Sequence, residues 1–261
     1  MFKKLALSAL MALSLGSAPA MAAGELGQIT DYAFPWEGPF GTYDRAQLQR
    51  GLQVYTEVCA ACHGLQYVSF RSLTDATGPA LTPEAMRAYA ANFEVIDRDT
   101  GDYRPAGGPD HFPASGMETA PDLSLMAKAR VGFSGPYGLG INQLLRGIGG
   151  PEYIASFLMG FNGEESEQAG AVYYYNTAYN GYVAMNPVLW DDGVEYADGT
   201  VASAEQQAQD VAAFLMWAAE PRLVERKRVG FIGVLFLIVL TSLLYLSNKK
   251  IWADVKRKAK A

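Results

Sequence analysis

Cys59-Ala60-Ala61-Cys62-His63 decides the reading of this chain. These five residues use both cysteines and one of the two histidines present in 261 residues. Cys-x-x-Cys-His is the attachment pattern of c-type haem. On a helical turn, cysteines three apart lie on one side, about 4.5 Å apart along the axis, so their sulfurs can reach the two vinyl groups of one porphyrin. The adjacent His63 then offers its imidazole to the iron. A thioredoxin-like redox pair would sit in a βαβ pattern, which the flanking sequence lacks. A plain disulfide would leave His63 unexplained. With so few Cys and His, a disulfide scaffold and a four-ligand structural zinc site are both excluded.

An electron-carrying haem needs a second axial ligand opposite His63, whereas a peroxidase-like enzyme or a sensor would keep that position open. Beyond residue 22 the candidates are His111 and six methionines: Met86, Met117, Met126, Met159, Met185 and Met216. Met126, Met159 and Met216 fall in apolar helical patterns that read as core, and Met86 in a surface helix. Met117 and Met185 are in loops. The loop argument favours Met185, in Ala184-Met185-Asn186-Pro187, because a proline turn can hold a sulfur over the far haem face; Met117 and His111 remain candidates on this argument.

Outward from the motif, helical spacing of Leu48, Leu52, Tyr55 and Val58 predicts a helix over 44–60. Thr82-Pro83 begins a second, and short helices are expected at 122–130, 141–146 and 151–159. Ser203-Ala204-Glu205-Gln206 is a capping box opening a helix that runs to Pro221. The segments 95–121 and 161–200 read as long loops without the alternation of strands, and loops of that length are usually functional. No phosphate-binding Gly-rich motif is complete.

The two ends have different signatures. Lys3 and Lys4, the apolar run Leu5–Leu15 and Ala20-Met21-Ala22 read as a secretory signal over 1–22, so residues 23–221 are expected outside the cytoplasm. Val229–Leu246 is eighteen residues without a charge, about 27 Å as a helix and close to the hydrocarbon thickness of a bilayer. Basic residues flank it more densely on the C-terminal side, so the positive-inside rule assigns 222–248 as a single span with flanks and 249–261 as a cytoplasmic tail. The net charge of −6 hides an asymmetry: residues 23–221 hold nine Lys/Arg against 25 Asp/Glu, while residues 222–261 hold ten against two. So acidic a body repels phosphate and makes nucleic acid an unsuitable partner.

Gly51-Leu52-Gln53-Val54-Tyr55 before the motif, then Ala120-Pro121-Asp122-Leu123-Ser124, Ala129-Arg130, Gly149-Gly150 with Tyr153, Ala184-Met185 and the run Ala213–Pro221 occur in an order that resembles the cytochrome c1 family, in its alpha-proteobacterial form. The likeness covers nearly all of the chain after the signal. It implies a mainly α, cytochrome c-like haem domain with long loops, plus one C-terminal transmembrane helix. It implies one covalent haem c on Cys59 and Cys62, with His63 and Met185 as axial ligands, Pro121 giving its carbonyl to the His63 ring, and Arg130 and Tyr153 near a haem propionate.

As partners the resemblance implies cytochrome b, the Rieske iron–sulfur protein, a soluble cytochrome c, membrane lipid and a dimeric ubiquinol:cytochrome c oxidoreductase in the bacterial inner membrane, of which this chain is an electron-carrying subunit. Glu164, Glu165 and Glu167, and Asp191, Asp192 and Glu195, are candidates for steering a basic cytochrome c. Two departures stand out: Asn186 separates Met185 from Pro187 where many members have Pro-Pro, and the segment before Met185 has no spare cysteine pair but Tyr173-Tyr174-Tyr175, so its stability is expected to come from packing.

Overall fold

A computed structural model describes residues 27–97, 99–130, 147–168, 170–253 and 257. The expected signal segment and the expected helix at 141–146 lie outside the described residues. The fold is mainly helical. Its centre is a crossing of α1 (Arg45–Val54) with α5 (Ala204–Ala219). Asp44 caps the first, its side chain accepting from the Ala46 N–H, and Ser203 caps the second through the Gln206 N–H. The helices meet at Gly51, where a Cβ would stand 2.0 Å from the Asp210 carbonyl oxygen, so only glycine permits this approach. Beside it Arg50 donates to the fully buried Asp210 carboxylate from Nε at 2.8 Å and Nη2 at 3.2 Å, and to Asp198 from Nη1 at 2.9 Å. A lone carboxylate there would be costly; the bidentate guanidinium offsets that cost.

Against this crossing lies an aromatic core. Phe70, in a 3₁₀ turn at Phe70–Thr74 absent from the expected elements, stacks on Phe112 at 4.4 Å; Tyr55, Tyr89 and Phe93 surround the pair, and Phe214 packs on Tyr55. Helix α2 (Pro83–Ala90) starts at Thr82 as its sequence predicts, but Met86 points inward and is buried instead of lying on a surface. The helix expected at 122–130 is reduced to α3 (Met126–Ala129): the Asp122 carboxylate accepts from the Ser124 N–H, a local turn that competes with helix. Helix α4 (Gly150–Met159) abuts α3 so closely that a Cβ on Gly150 would lie 1.8 Å from the Ala127 oxygen. Met159, read as core, is exposed at its end.

The two supposed loops contain strands. β1 (Glu94–Ile96) pairs antiparallel with β2 (Tyr103–Pro105), and β3 (Phe161–Gln168), β4 (Ala171–Asn176) and β5 (Gly181–Val183) form a three-stranded antiparallel sheet. Neither sheet buries a whole face, so no period-two pattern marks them in the sequence. The Tyr-rich segment is therefore held by a backbone ladder, Glu165 opposite Tyr174 and Tyr175 opposite Tyr182, as well as by packing.

Pro221 ends α5, and after a two-residue turn α6 (Leu223–Ile251) runs away from the body. It is long and apolar enough to cross a membrane, and none of its most apolar stretch is buried against the body, unlike a core helix. A polar joint ties it down: Glu220 receives Lys128 of α3 and Arg226 of α6, while the Tyr43 hydroxyl donates to the carbonyls of Glu220 at 3.1 Å and Met216 at 3.3 Å.

Candidate functional site: a haem cavity

The motif sits where α1 unwinds. From Tyr55 to Cys59 the helix widens into a π turn, then closes through Cys62 N–H and His63 N–H, both donating to the Cys59 carbonyl at 3.1 and 2.9 Å. The buried Tyr55 hydroxyl donates to the His63 carbonyl at 3.0 Å. The helix expected over 44–60 is thus real but ends in a wider turn that carries the cysteines. The two thiols are not bonded to each other. Burial, then the neighbouring Cys62, push the Cys59 thiol up to about 12, the reverse of the lowered pKa that marks a reactive redox pair.

After the motif the chain is clamped to the segment 121–124. Leu123 N–H donates to the Gly64 carbonyl at 2.9 Å, Gln66 N–H to the Asp122 carboxylate at 2.9 Å, and Tyr67 N–H to the Ser124 hydroxyl at 3.2 Å. Gly64 is required here, since a Cβ would fall 2.4 Å from the Ala114–Ser115 backbone. The clamp brings the Pro121 carbonyl to 2.7 Å from His63 Nδ1. A carbonyl only accepts, so Nδ1 carries the proton and Nε2 keeps a free lone pair.

This ring is part of the wall of a cavity of about 500 Å³, the size of a cofactor site. Cys59, Cys62, His63, Pro121, Arg130, Tyr153 and Met185, the seven residues named from the sequence, all line it. Apolar side chains make up much of the rest: Val58, Leu123, Ile154, Phe157, Leu158, Val188, Val211 and Leu215. Tyr153 is nearly buried; desolvation raises its hydroxyl pKa, and Arg130 opposes that rise through its charge and a hydrogen bond.

The candidate sixth ligands separate. His111 pairs with Ser69 in an isolated bridge and does not line the cavity, whereas Met117, Met126 and Met185 do. Met126, assigned to core from its helical setting, faces the cavity. Met117 belongs to the motif's own side, its N–H reaching the Cys62 carbonyl at 3.5 Å. Met185 arrives from elsewhere, just past β5. That strand is positioned by the buried Asn176, which donates to the Phe157 carbonyl at 2.7 Å and accepts from the Ala178 and Tyr179 N–H groups at 3.1 and 3.0 Å. Sequence reasoning missed Tyr179 and Tyr182 as lining residues; they lie in the segment that shows no strand periodicity.

Of the acidic candidates, Glu164 on exposed β3 accepts from the hydroxyl of Tyr182, a cavity-lining residue, which sets the acidic edge at the cavity rim. Asp191 is used structurally, accepting from the Ala204 N–H at the head of α5 at 2.9 Å.

An apolar cavity of cofactor size, a Cys-x-x-Cys-His turn in its wall, an imidazole with one nitrogen committed to a carbonyl, and an apolar stalk define a class: membrane-anchored haem proteins of electron transport. Comparison with known proteins narrows it. Residues 34–255 match the Cytochrome C1 family. The chain is similar to cytochrome c1 of Cereibacter sphaeroides, 53% identical with 100% of this chain and 99% of that one covered, and to cytochrome c1 of Rhodobacter capsulatus, 47% identical with 98% and 99% covered. Similarity extends to the mitochondrial cytochrome c1 haem protein of Saccharomyces cerevisiae, at 39% over 92% of this chain and 77% of that one. This chain belongs to the cytochrome c1 family. Membership makes it a haem-bearing electron-transport subunit of a cytochrome bc1 complex, anchored in a membrane.

Proposed function

We propose that this chain takes single electrons from the Rieske iron–sulfur protein and delivers them to a soluble cytochrome c, as the haem subunit beside cytochrome b in a dimeric ubiquinol:cytochrome c oxidoreductase. Haem c supplies a one-electron couple. Everything else is the work of this chain's residues. The sulfurs of Cys59 and Cys62 hold the porphyrin covalently. His63 offers Nε2 to iron, and the Pro121 carbonyl fixes its tautomer and raises its basicity. Met185 supplies the sulfur from across the cavity; its origin in a different part of the fold from the motif favours it over Met117, which hangs from the Cys62 carbonyl. Arg130, with Tyr153 beside it, offsets a propionate's charge in a poorly solvated setting. The apolar lining keeps water out and, with the thioether ligand, holds the potential high.

The topology that serves this role has residues 1–22 removed as a signal, 23–221 in the periplasm, 222–248 as the span with its flanks and 249–261 in the cytoplasm of a bacterial inner membrane. The acidic edge of β3 at the cavity rim suits a basic, briefly bound acceptor, whose encounter slows with added salt.

The observation that carries the reading is the 2.7 Å approach of the Pro121 carbonyl to His63 Nδ1, in a wall that also holds both cysteines. The test is Met185→Leu in the purified complex. Pigment remains on the denatured chain, while the haem potential falls well below that of the unsubstituted complex and the ferrous form begins to bind carbon monoxide. An unchanged potential removes Met185 as ligand, and a colourless denatured chain removes the attachment itself.

A further inference from the structure

We infer that the turn 35–42 is a second membrane contact, with Phe40 set in the phospholipid interface on the body side of the bilayer. The turn is tightly built. Thr42 N–H donates to the Pro35 carbonyl at 3.2 Å, Glu37 N–H to the Phe34 carbonyl at 3.1 Å, and Phe34 N–H to the Glu37 carboxylate at 2.9 Å. Gly38 takes φ 68°, and a Cβ on Gly41 would fall 2.1 Å from the Glu37 oxygen. Behind the turn Trp36 is buried, stacked on Phe34 at 4.4 Å and tilted against Tyr43 at 5.3 Å. So much structure ends in one large apolar side chain facing outward: Phe40 is 74% exposed.

Its place relative to α6 identifies the occupant. Phe40 meets Phe231 edge to face at 5.3 Å. Phe231 is two residues inside the charge-free stretch that begins at Val229, about 3 Å below its edge at 1.5 Å per residue. A side chain beside Phe231 shares its depth, which is that of the interfacial aromatic belt. Arg226, Lys227 and Arg228 stand just above, at headgroup level, and Lys227 Nζ donates to the Trp36 carbonyl. Both the turn and the helix therefore touch lipid, and their separation in sequence makes them two footings instead of one.

The test uses the full chain in its native membranes. Phe40→benzoylphenylalanine is photolysed and the chain digested for mass spectrometry; with Phe40 at an exposed turn tip, the larger ring meets no core. Phospholipid adducts are expected on the peptide containing residue 40, as on that from Phe236→benzoylphenylalanine in mid-span, and not from Val201→benzoylphenylalanine, 75% exposed on the body. A residue-40 peptide free of lipid, either unmodified or joined to another polypeptide, overturns the inference. Neither outcome depends on the electron-transfer reading.

Discussion

The two walls of the cavity are built by different means. The wall that carries His63 rests on the α1–α5 crossing, with its buried Asp210 paired to Arg50, and on the aromatic core around Tyr55, whose hydroxyl donates to the His63 carbonyl. The wall that carries Met185 hangs from a small, partly exposed sheet whose approach to the body rests on the buried Asn176 and on Thr177, which donates to the Gly160 carbonyl. On the proposed assignment, Cys59 and Cys62 follow directly on the central helix α1, while Met185 follows the satellite strand β5. On that assignment the fold separates keeping a cofactor from tuning it.

The contrast is tested most severely at the crossing. Asp210→Ala strips the buried partner from Arg50 and is expected to cost about 3 kcal/mol of global stability, read as a lowered Tm of the whole body. Asn176→Ala leaves one carbonyl and two N–H groups without their partner, at about 2 kcal/mol, but its effect is expected to stay local: faster amide exchange at Ala178 and Tyr179 with α1 and α5 unchanged. If exchange instead rises uniformly, the satellite is part of the core and the comparison fails.

A pH-dependent effect concerns Glu152, buried at the start of α4, with one carboxylate oxygen unpartnered among the described residues. Burial pushes it up to about 7, opposed by a hydrogen bond from its own backbone N–H and reinforced by the charges of Glu37 and Asp31. The folded state then holds a proton that the unfolded chain releases near pH 4.3, so this group's contribution is full below that pH, declines up to about 7 and is flat above. Glu152→Gln is expected to flatten the fall in Tm over that window; an unaltered Tm–pH curve would put the carboxyl in water.

How much of this was readable in advance follows the same division. Strong local signals lie on the stable side: the Cys59–His63 motif, the caps at Thr82 and Ser203, the charge-free span. Local competition spoiled other expectations. The Asp122 turn shortened a helix, and Met86 turned inward because α2 has a core face near the 3₁₀ turn. Strands β3 to β5 left no trace because their side chains alternate between two wet or half-wet faces. That a carbonyl 58 residues from His63 should meet its ring is settled by the clamp at Gly64, a tertiary fact that no spacing rule contains.

The knot of Glu220, Lys128, Arg226 and Tyr43 has a mechanical meaning. It ties the globular head to its stalk at the last residue before Pro221, across a two-residue turn. The place of the cavity relative to the start of the stalk is therefore set by side-chain contacts as well as by chain length.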